Sequence, residues 1–76
     1  MKDLVEIIVK GLVDDPEAVE ITEHTDGRNR RYDVQVAPDD RGNVIGRQGA
    51  TAGALRTVVS GVARRQGLRV DIEIVD

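Results

Sequence analysis

Residues 30–37 alternate, with Tyr32, Val34 and Val36 on one side and Arg31, Asp33 and Gln35 on the other. A period of two specifies a strand with one buried and one solvated face, because a one-residue slip would turn every apolar side chain to water. Upstream, residues 17–24 carry Val19 and Ile21 in the same alternation. Thr25-Asp26-Gly27-Arg28 lies between the two runs, and Asp-Gly is the strongest short hairpin signal. An antiparallel hairpin with one buried face follows. A third run, 68–75, sets Leu68, Val70, Ile72 and Ile74 on one face and is reached only through helical sequence. Such a crossover makes the two strands parallel and is right-handed in about 98% of cases. The expected fold class is α+β, a three-stranded mixed sheet with helices packed on one face, in the order α-β-β-α-α-β.

The helical stretches have readable ends. Residues 3–13 place Leu4, Ile8 and Leu12, flanked by Val5 and Val9, on one face, with Asp3 as the expected N-cap. Asp14-Asp15-Pro16 closes that helix, since the residue before proline is pushed out of the α region. Pro38-Asp39-Asp40 opens a short helix that runs to about Ile45. The longest helix spans 50–66, with Thr51, Leu55, Val58, Val59 and Val62 as its expected core stripe. Gly67 suits the position after its end, and Arg64 and Arg65 suit its last turn. Between these two helices lies Gly46-Arg47-Gln48-Gly49, where two glycines in four residues permit positive φ or close backbone approach.

Composition sharpens this reading. The chain has 76 residues, no cysteine, tryptophan or phenylalanine, one tyrosine and one histidine. The core must therefore be aliphatic, and neither a disulfide nor a cysteine-based zinc site can staple it. The longest apolar run, Ile7-Ile8-Val9, falls far short of the roughly 20 residues a membrane span needs. Nothing resembles a signal peptide, so the expectation is a soluble protein of a reducing cytoplasm with no membrane contact.

Charge is distributed unevenly. The net charge is −3, and residues 1–40 hold eleven acids against five bases. Residues 41–70 hold six arginines (Arg41, Arg47, Arg56, Arg64, Arg65 and Arg69) and no acid. A basic segment inside an acidic protein marks a local anion site. The competing explanation is that these arginines solubilise a helix or pair with the acidic half. The glycine bend lies inside this segment, after the aliphatic pair Val44-Ile45. Its glycines let backbone lie flat against a ligand, and the amides heading the next helix favour a phosphate. A bare GxxG is a weak signal; between two helices of a β-α-α-β unit it is a strong one.

At this point the sequence resembles the KH (K-homology) domain in its type II arrangement, whose GxxG loop clamps about four nucleotides by their backbone. The likeness extends to the small single-KH bacterial proteins of the KhpA type. It rests on Ile8-Val9-Lys10, Leu12-Val13-Asp14 and Pro16, on Val36-Ala37-Pro38-Asp39-Asp40 and Gly42, and on Val44-Ile45-Gly46-Arg47-Gln48-Gly49. Thr51-Ala52, Ala54-Leu55-Arg56-Thr57, Val70 and Glu73-Ile74-Val75 complete it. Arg47 stands where lysine is common and keeps the charge.

The resemblance implies one KH domain over 1–76, with its N-terminal helix at 3–13 and the KH core at about 17–75. It implies an RNA chaperone or post-transcriptional regulator acting on single-stranded RNA. Gly46, Arg47, Gln48 and Gly49 become the clamp, Val44 and Ile45 its apolar floor or support, and Arg41 and Arg56 further RNA contacts. It also implies self-association, a larger KhpB-type partner (also called Jag or EloR), and a link to cell shape and peptidoglycan homeostasis. A lone tyrosine cannot build the aromatic platform of other single-strand binders, so micromolar or weaker binding by one domain is expected.

A second surface is suggested on the long helix. Ala50, Gly53, Ala54, Thr57, Ser60 and Gly61, with Arg64 at the end, lie opposite the expected core stripe. An interior helical glycine costs about 1 kcal/mol relative to alanine, so two on a face of small residues suggest close approach by another body. The expected homodimer interface is Gly53, Ala54, Thr57, Ser60, Gly61 and Arg64. Other residues read blandly. His24 has no visible partner, Asp14-Asp15, Asp39-Asp40 and Glu17, Glu20 and Glu23 read as helix-flanking or solvated charges, and Arg28, Arg30 and Arg31 either touch RNA phosphates or are explained equally well as a polar hairpin face. Ser60 has no base beside it and no metal-ligand spacing occurs, so no catalytic residue, metal or cofactor is expected. A protein-interaction adaptor with incidental RNA contact is the alternative function. A phosphate-handling enzyme is disfavoured because the bend lacks the Gly-Lys-Ser/Thr ending of a P-loop.

Overall fold

The computed structural model describes residues 1–75, so Asp76 lies outside the described residues. The elements follow the expected order as α1 (Lys2–Leu12), β1 (Glu20–Asp26), β2 (Asn29–Gln35), α2 (Arg41–Ile45), α3 (Ala50–Arg65) and β3 (Arg69–Ile74). Short 3₁₀ turns occupy Pro16–Ala18, Pro38–Asp40 and Arg47–Gly49. The sheet order is β1-β2-β3. β1 and β2 pair antiparallel from Glu20↔Gln35 to Asp26↔Asn29, and β2 and β3 pair parallel from Asn29↔Arg69 to Val34↔Ile74. The mixed α+β sandwich of a KH fold is thus in place.

Several boundaries differ from the sequence reading. Met1, not Asp3, is the N-cap of α1, and no side chain caps it; Asp3 sits inside the first turn, where its charge still suits the helix dipole. The first strand starts at Glu20 because Pro16 fixes a 3₁₀ turn ahead of it. That strand continues to Asp26, so Gly27 and Arg28 form the two-residue turn. Positive φ is confined to Gly27, the first central residue, as a type II′ hairpin requires. At the other end of the chain, Leu68 N–H donates to Ala63 O at 2.9 Å and Gly67 N–H to Arg64 O at 3.1 Å. With Gly67 at φ 72°, this closes α3 as a Schellman cap.

The core is aliphatic around one ring. Val5 and Val9 of α1, Tyr32 and Val34 of β2, Val44 of α2, Leu55 and Val59 of α3 and Ile72 of β3 are buried together. Tyr32 O–H donates to Glu23 Oε2 at 2.6 Å, which gives its polar tip a partner, so Glu23 is not a merely solvated charge. Burial first and the Glu23 carboxylate second push its phenol well above the ordinary range.

The core stripe of α3 needs the largest correction. Its buried residues are Ala52, Leu55, Val59 and Ala63, whereas Val58 is 52% exposed and Val62 is exposed as well. The alanines Ala52 and Ala63 share the buried side of the helix with Leu55 and Val59. The two valines are rotated off the core onto the flank beside α1.

Candidate nucleic-acid interface

The bend after α2 is built from left-handed backbone. Gly46 has φ 75° and ψ 176°, Gln48 φ 56° and ψ 28°, and Gly49 φ 77° and ψ 11°. Gly46 N–H donates to Gly42 O at 2.8 Å, and Gly49 N–H donates back to Gly46 O at 3.3 Å, so the bend is closed on itself. The two glycines are needed for different reasons. A Cβ at Gly46 would lie 2.7 Å from Thr51 Cβ and 2.8 Å from Thr51 N, whereas one at Gly49 would meet nothing within 4 Å. Thr51 therefore packs directly onto the first glycine, and only backbone conformation demands the second. Gln48 holds positive φ without being glycine, at a cost on the order of 1–2 kcal/mol.

This geometry turns Arg47 and Gln48 outward, both exposed, while Gly46 and Gly49 are half-buried. Gly49 has no side chain to cap the first turn of α3, whose amides carry the positive end of the dipole. Val44 and Ile45 separate in role. Val44 is fully buried and supports the bend from below, so it offers no surface to a ligand; Ile45 is 41% exposed beside the bend.

α3 then presents two unlike flanks. Facing β3 are Gly53, Arg56, Thr57, Ser60 and Arg64 at helical spacing. Arg56 Nε donates to Ile72 O at 3.1 Å, which ties the helix to the strand. Arg69 N–H and Val75 N–H donate to Arg28 O and Val34 O of the neighbouring chain segments. The intervening Val70, Ile72 and Ile74 therefore direct their backbone groups to the open edge of the sheet. Ser60 and Arg64 of α3 and Leu68, Arg69 and Val70 enclose a cavity of about 320 Å³ along that edge. On the flank beside α1, Ile8 and Leu12 meet Thr51, Ala54, Leu55 and Val58 around an apolar depression of about 170 Å³.

The family model "KhpA/KhpB, KH domain" matches residues 2–74. The chain belongs to this family. It is 50% identical over 76 residues to the protein named RNA-binding protein KhpA of Halalkalibacterium halodurans, covering 100% of both chains. It is 50% identical over 74 residues to the protein of that name from Mycobacterium tuberculosis, covering 97% of this chain and 91% of the relative. The Streptomyces coelicolor protein is 47% identical over 76 residues, 100% of this chain and 95% of its own. No solved structure gives a significant match.

Within this KhpA/KhpB KH domain, the candidate residues of the sequence reading fall in three places. Gly46, Arg47, Gln48, Gly49 and Ile45 meet at the bend. Arg56 joins the flank facing β3, while Arg41 opens α2 at its far end, half-buried. Of the expected dimer residues, Gly53, Thr57, Ser60 and Arg64 face β3, Ala54 lines the apolar depression, and Gly61 points away from the core. Thr57 Oγ1 donates back to Gly53 O at 3.0 Å, so its hydroxyl is satisfied inside the helix.

Three residues escaped the sequence reading. Asp40 is not a solvated charge: it is 2% exposed, and its carboxylate accepts from Asp14 N–H at 2.9 Å, Asp15 N–H at 3.0 Å and Asn43 Nδ2 at 3.0 Å. These donors, the Asp14 amide foremost, hold its carboxyl below the ordinary range against the opposing effect of burial. Asp40 thereby latches the α1–β1 connection to the start of α2, the helix that carries the bend. His24 does have a partner, since its Nε2 lies 2.9 Å from Asp33 Oδ2, with Arg31 Nε on the other oxygen at 3.0 Å. The Arg31 guanidinium first, with the His24 ring, holds the Asp33 carboxyl low. Arg69 opens β3 and lines the cavity beside α3, and its alternation at the strand start is the signal the sequence carries for it.

Proposed function

We propose that this chain binds single-stranded RNA along the flank of α3 that begins at the 46–49 bend and follows the open edge of β3. The exposed left-handed bend carries the reading: it holds Arg47 and Gln48 outward at the head of an uncapped helix, inside the segment free of acids. Ile45 supplies the apolar floor, and the backbone groups of Val70 and Ile74, with the N–H of Ile72, offer donors and acceptors to base edges, the Ile72 carbonyl being held by Arg56. Tyr32 is fully buried and cannot stack on a base, which favours weak binding by one copy. The relatives' name, RNA-binding protein, supports the same reading and no enzymatic one.

Self-association belongs on the other flank, where Val58, Val62 and Ala54 leave apolar surface uncovered beside Ile8 and Leu12. Two copies joined there act together by raised effective concentration, as an RNA chaperone alone or with a KhpB-type partner in the cytoplasm. A role in cell shape and peptidoglycan homeostasis would pass through that partner. This moves the dimer face from the small-residue stripe to its apolar neighbour. An adaptor function with incidental RNA contact is the competing reading.

Arg47→Asp with Gln48→Asp separates the two. Both side chains are exposed and the change adds repulsive charge at the tip only. Crosslinking to oligoribonucleotide is expected to fall at least ten-fold, with thermal unfolding and molecular mass unchanged. Crosslinking that survives the double substitution removes the bend from the mechanism.

A further inference from the structure

Resting on the RNA-binding reading above, we infer that Arg56 sets the base preference of the groove. By holding the Ile72 carbonyl it makes the middle of the β3 edge a position of hydrogen-bond donors. Such a position takes a base with two adjacent acceptors, guanine or cytosine, and rejects adenine.

An open strand edge offers the N–H and C=O of each outward residue side by side. That donor–acceptor pair complements adenine, in which a ring nitrogen that accepts adjoins the N6 amino group that donates. Ile72 departs from the pattern, because Arg56 Nε donates to its carbonyl oxygen at 3.1 Å. Both ends of this bond are anchored: the Ile72 side chain is buried in the core, and so are Leu55 and Val59 of α3 on either side of Arg56. A guanidinium has five N–H donors, and among the described residues only Nε of Arg56 has a partner. The terminal nitrogens are two bonds from Nε, so their donors stay at the Ile72 edge and join its N–H. The carbonyl keeps a second lone pair, but an amino group seeking it would meet the N–H groups of a full positive charge. Guanine presents two adjacent acceptors at O6 and N7, the edge an arginine reads most often, and cytosine presents them at O2 and N3. Adenine has no such edge, and the two carbonyls of uracil are separated by a donor.

The surroundings leave the position to Arg56. Asp71 and Glu73 flank Ile72 in the chain but alternate to the opposite face, in the rows Arg31↔Asp71 and Asp33↔Glu73. Thr57 spends its hydroxyl on Gly53 O at 3.0 Å. A Cβ added at Gly53, one turn ahead of Arg56, would meet nothing within 4 Å, so the helix wall is open to a base there.

The test uses uridine hexamers carrying one guest base, which slide until the guest seats, read by fluorescence anisotropy and by the Ile72 amide resonance. The unaltered chain is expected to bind a guanine or cytosine guest about ten-fold more tightly than an adenine guest. Arg56→Met keeps the apolar stem and frees the carbonyl, and is expected to erase that ratio or turn it toward adenine. Arg56→Lys keeps the charge without the fork; it is expected to hold the salt slope and lose most of the ratio. The proposal is overturned if the unaltered chain binds adenine as well as guanine and cytosine. It is also overturned if Arg56→Met weakens every guest by one factor and flattens the salt slope by about 0.7, as a plain phosphate contact would. Should Arg56→Met fail to fold, an undiminished ratio in Arg56→Lys overturns it. The bend variant keeps the two readings apart. Binding indifferent to the bend removes the groove, whereas binding that needs the bend and ignores the guest base removes only the role of Arg56.

Discussion

The two flanks of α3 start from one helix and diverge completely. Toward β3 the helix offers Gly53, Arg56, Thr57, Ser60 and Arg64 beside a strand edge with open backbone groups. Toward α1 it offers Ala54, Val58 and Val62 beside Ile8 and Leu12, with scarcely a polar atom. A single amphipathic helix normally has a dry face and a wet one. This one has a core face and two different outer flanks, which teaches that a small domain can hold a charged surface and an apolar one apart by roughly 100–200° of helix rotation, without any extra element.

The sharpest way to break the comparison is at the bend that feeds the charged flank. Gly46→Ala combines a left-handed backbone with a methyl driven into Thr51, and is expected to cost about 3 kcal/mol in urea denaturation and to abolish RNA binding. Gly49→Ala carries the backbone cost alone, about 1 kcal/mol. Equal losses at the two glycines would contradict the packing of Thr51.

The next effect comes from the latch beneath that flank. The Asp40 carboxyl is held low in the folded chain, so its stabilisation is present above the ordinary aspartate value and is lost as pH falls below about 4. Asp40→Asn turns an NH₂ toward backbone donors, so the variant is expected to be less stable at pH 7 and to show a flatter decline below pH 4. An acid limb as steep as that of the parent chain would assign the pH dependence to other carboxylates, Asp33 first.

The apolar flank is expected to give the smallest change to the single chain. Val58 is half in solvent, so Val58→Glu should shift unfolding by no more than about 0.5 kcal/mol. It should nevertheless halve the mass seen by light scattering and leave the RNA-induced shifts of the Gln48 and Gly49 amides in place. If those shifts vanish, the two flanks are not independent.

Much of this was legible in the chain. The alternation at 30–37, Asp26-Gly27 and the helical crossover specified the topology, because sheet register and handedness follow local rules. The bend was legible for the same reason: glycine spacing reports backbone conformation directly. The α3 stripe was not. Val58 and Val62 outrank Ala52 and Ala63 in hydrophobicity, and which side of the helix meets the sheet is set by tertiary packing that the pattern of hydrophobicity does not carry. Asp40 was equally hidden, since its partners Asp14 and Asp15 lie 26 and 25 positions away and act through backbone amides that carry no residue identity. The split between Val44 and Ile45 depends on one residue step, little more than a quarter of a helical turn, finer than boundary positions allow from sequence.

The arm that Arg56 extends to Ile72 O has a meaning for the protein when nothing is bound. A border strand with bare peptide groups invites pairing with the same strand of another molecule, the first step toward stacked aggregates. By occupying the middle carbonyl of that border, the guanidinium interrupts the template and sets a positive charge where an identical chain would bring its own. The empty form is thus guarded against its neighbours by a residue of the very flank proposed to bind RNA.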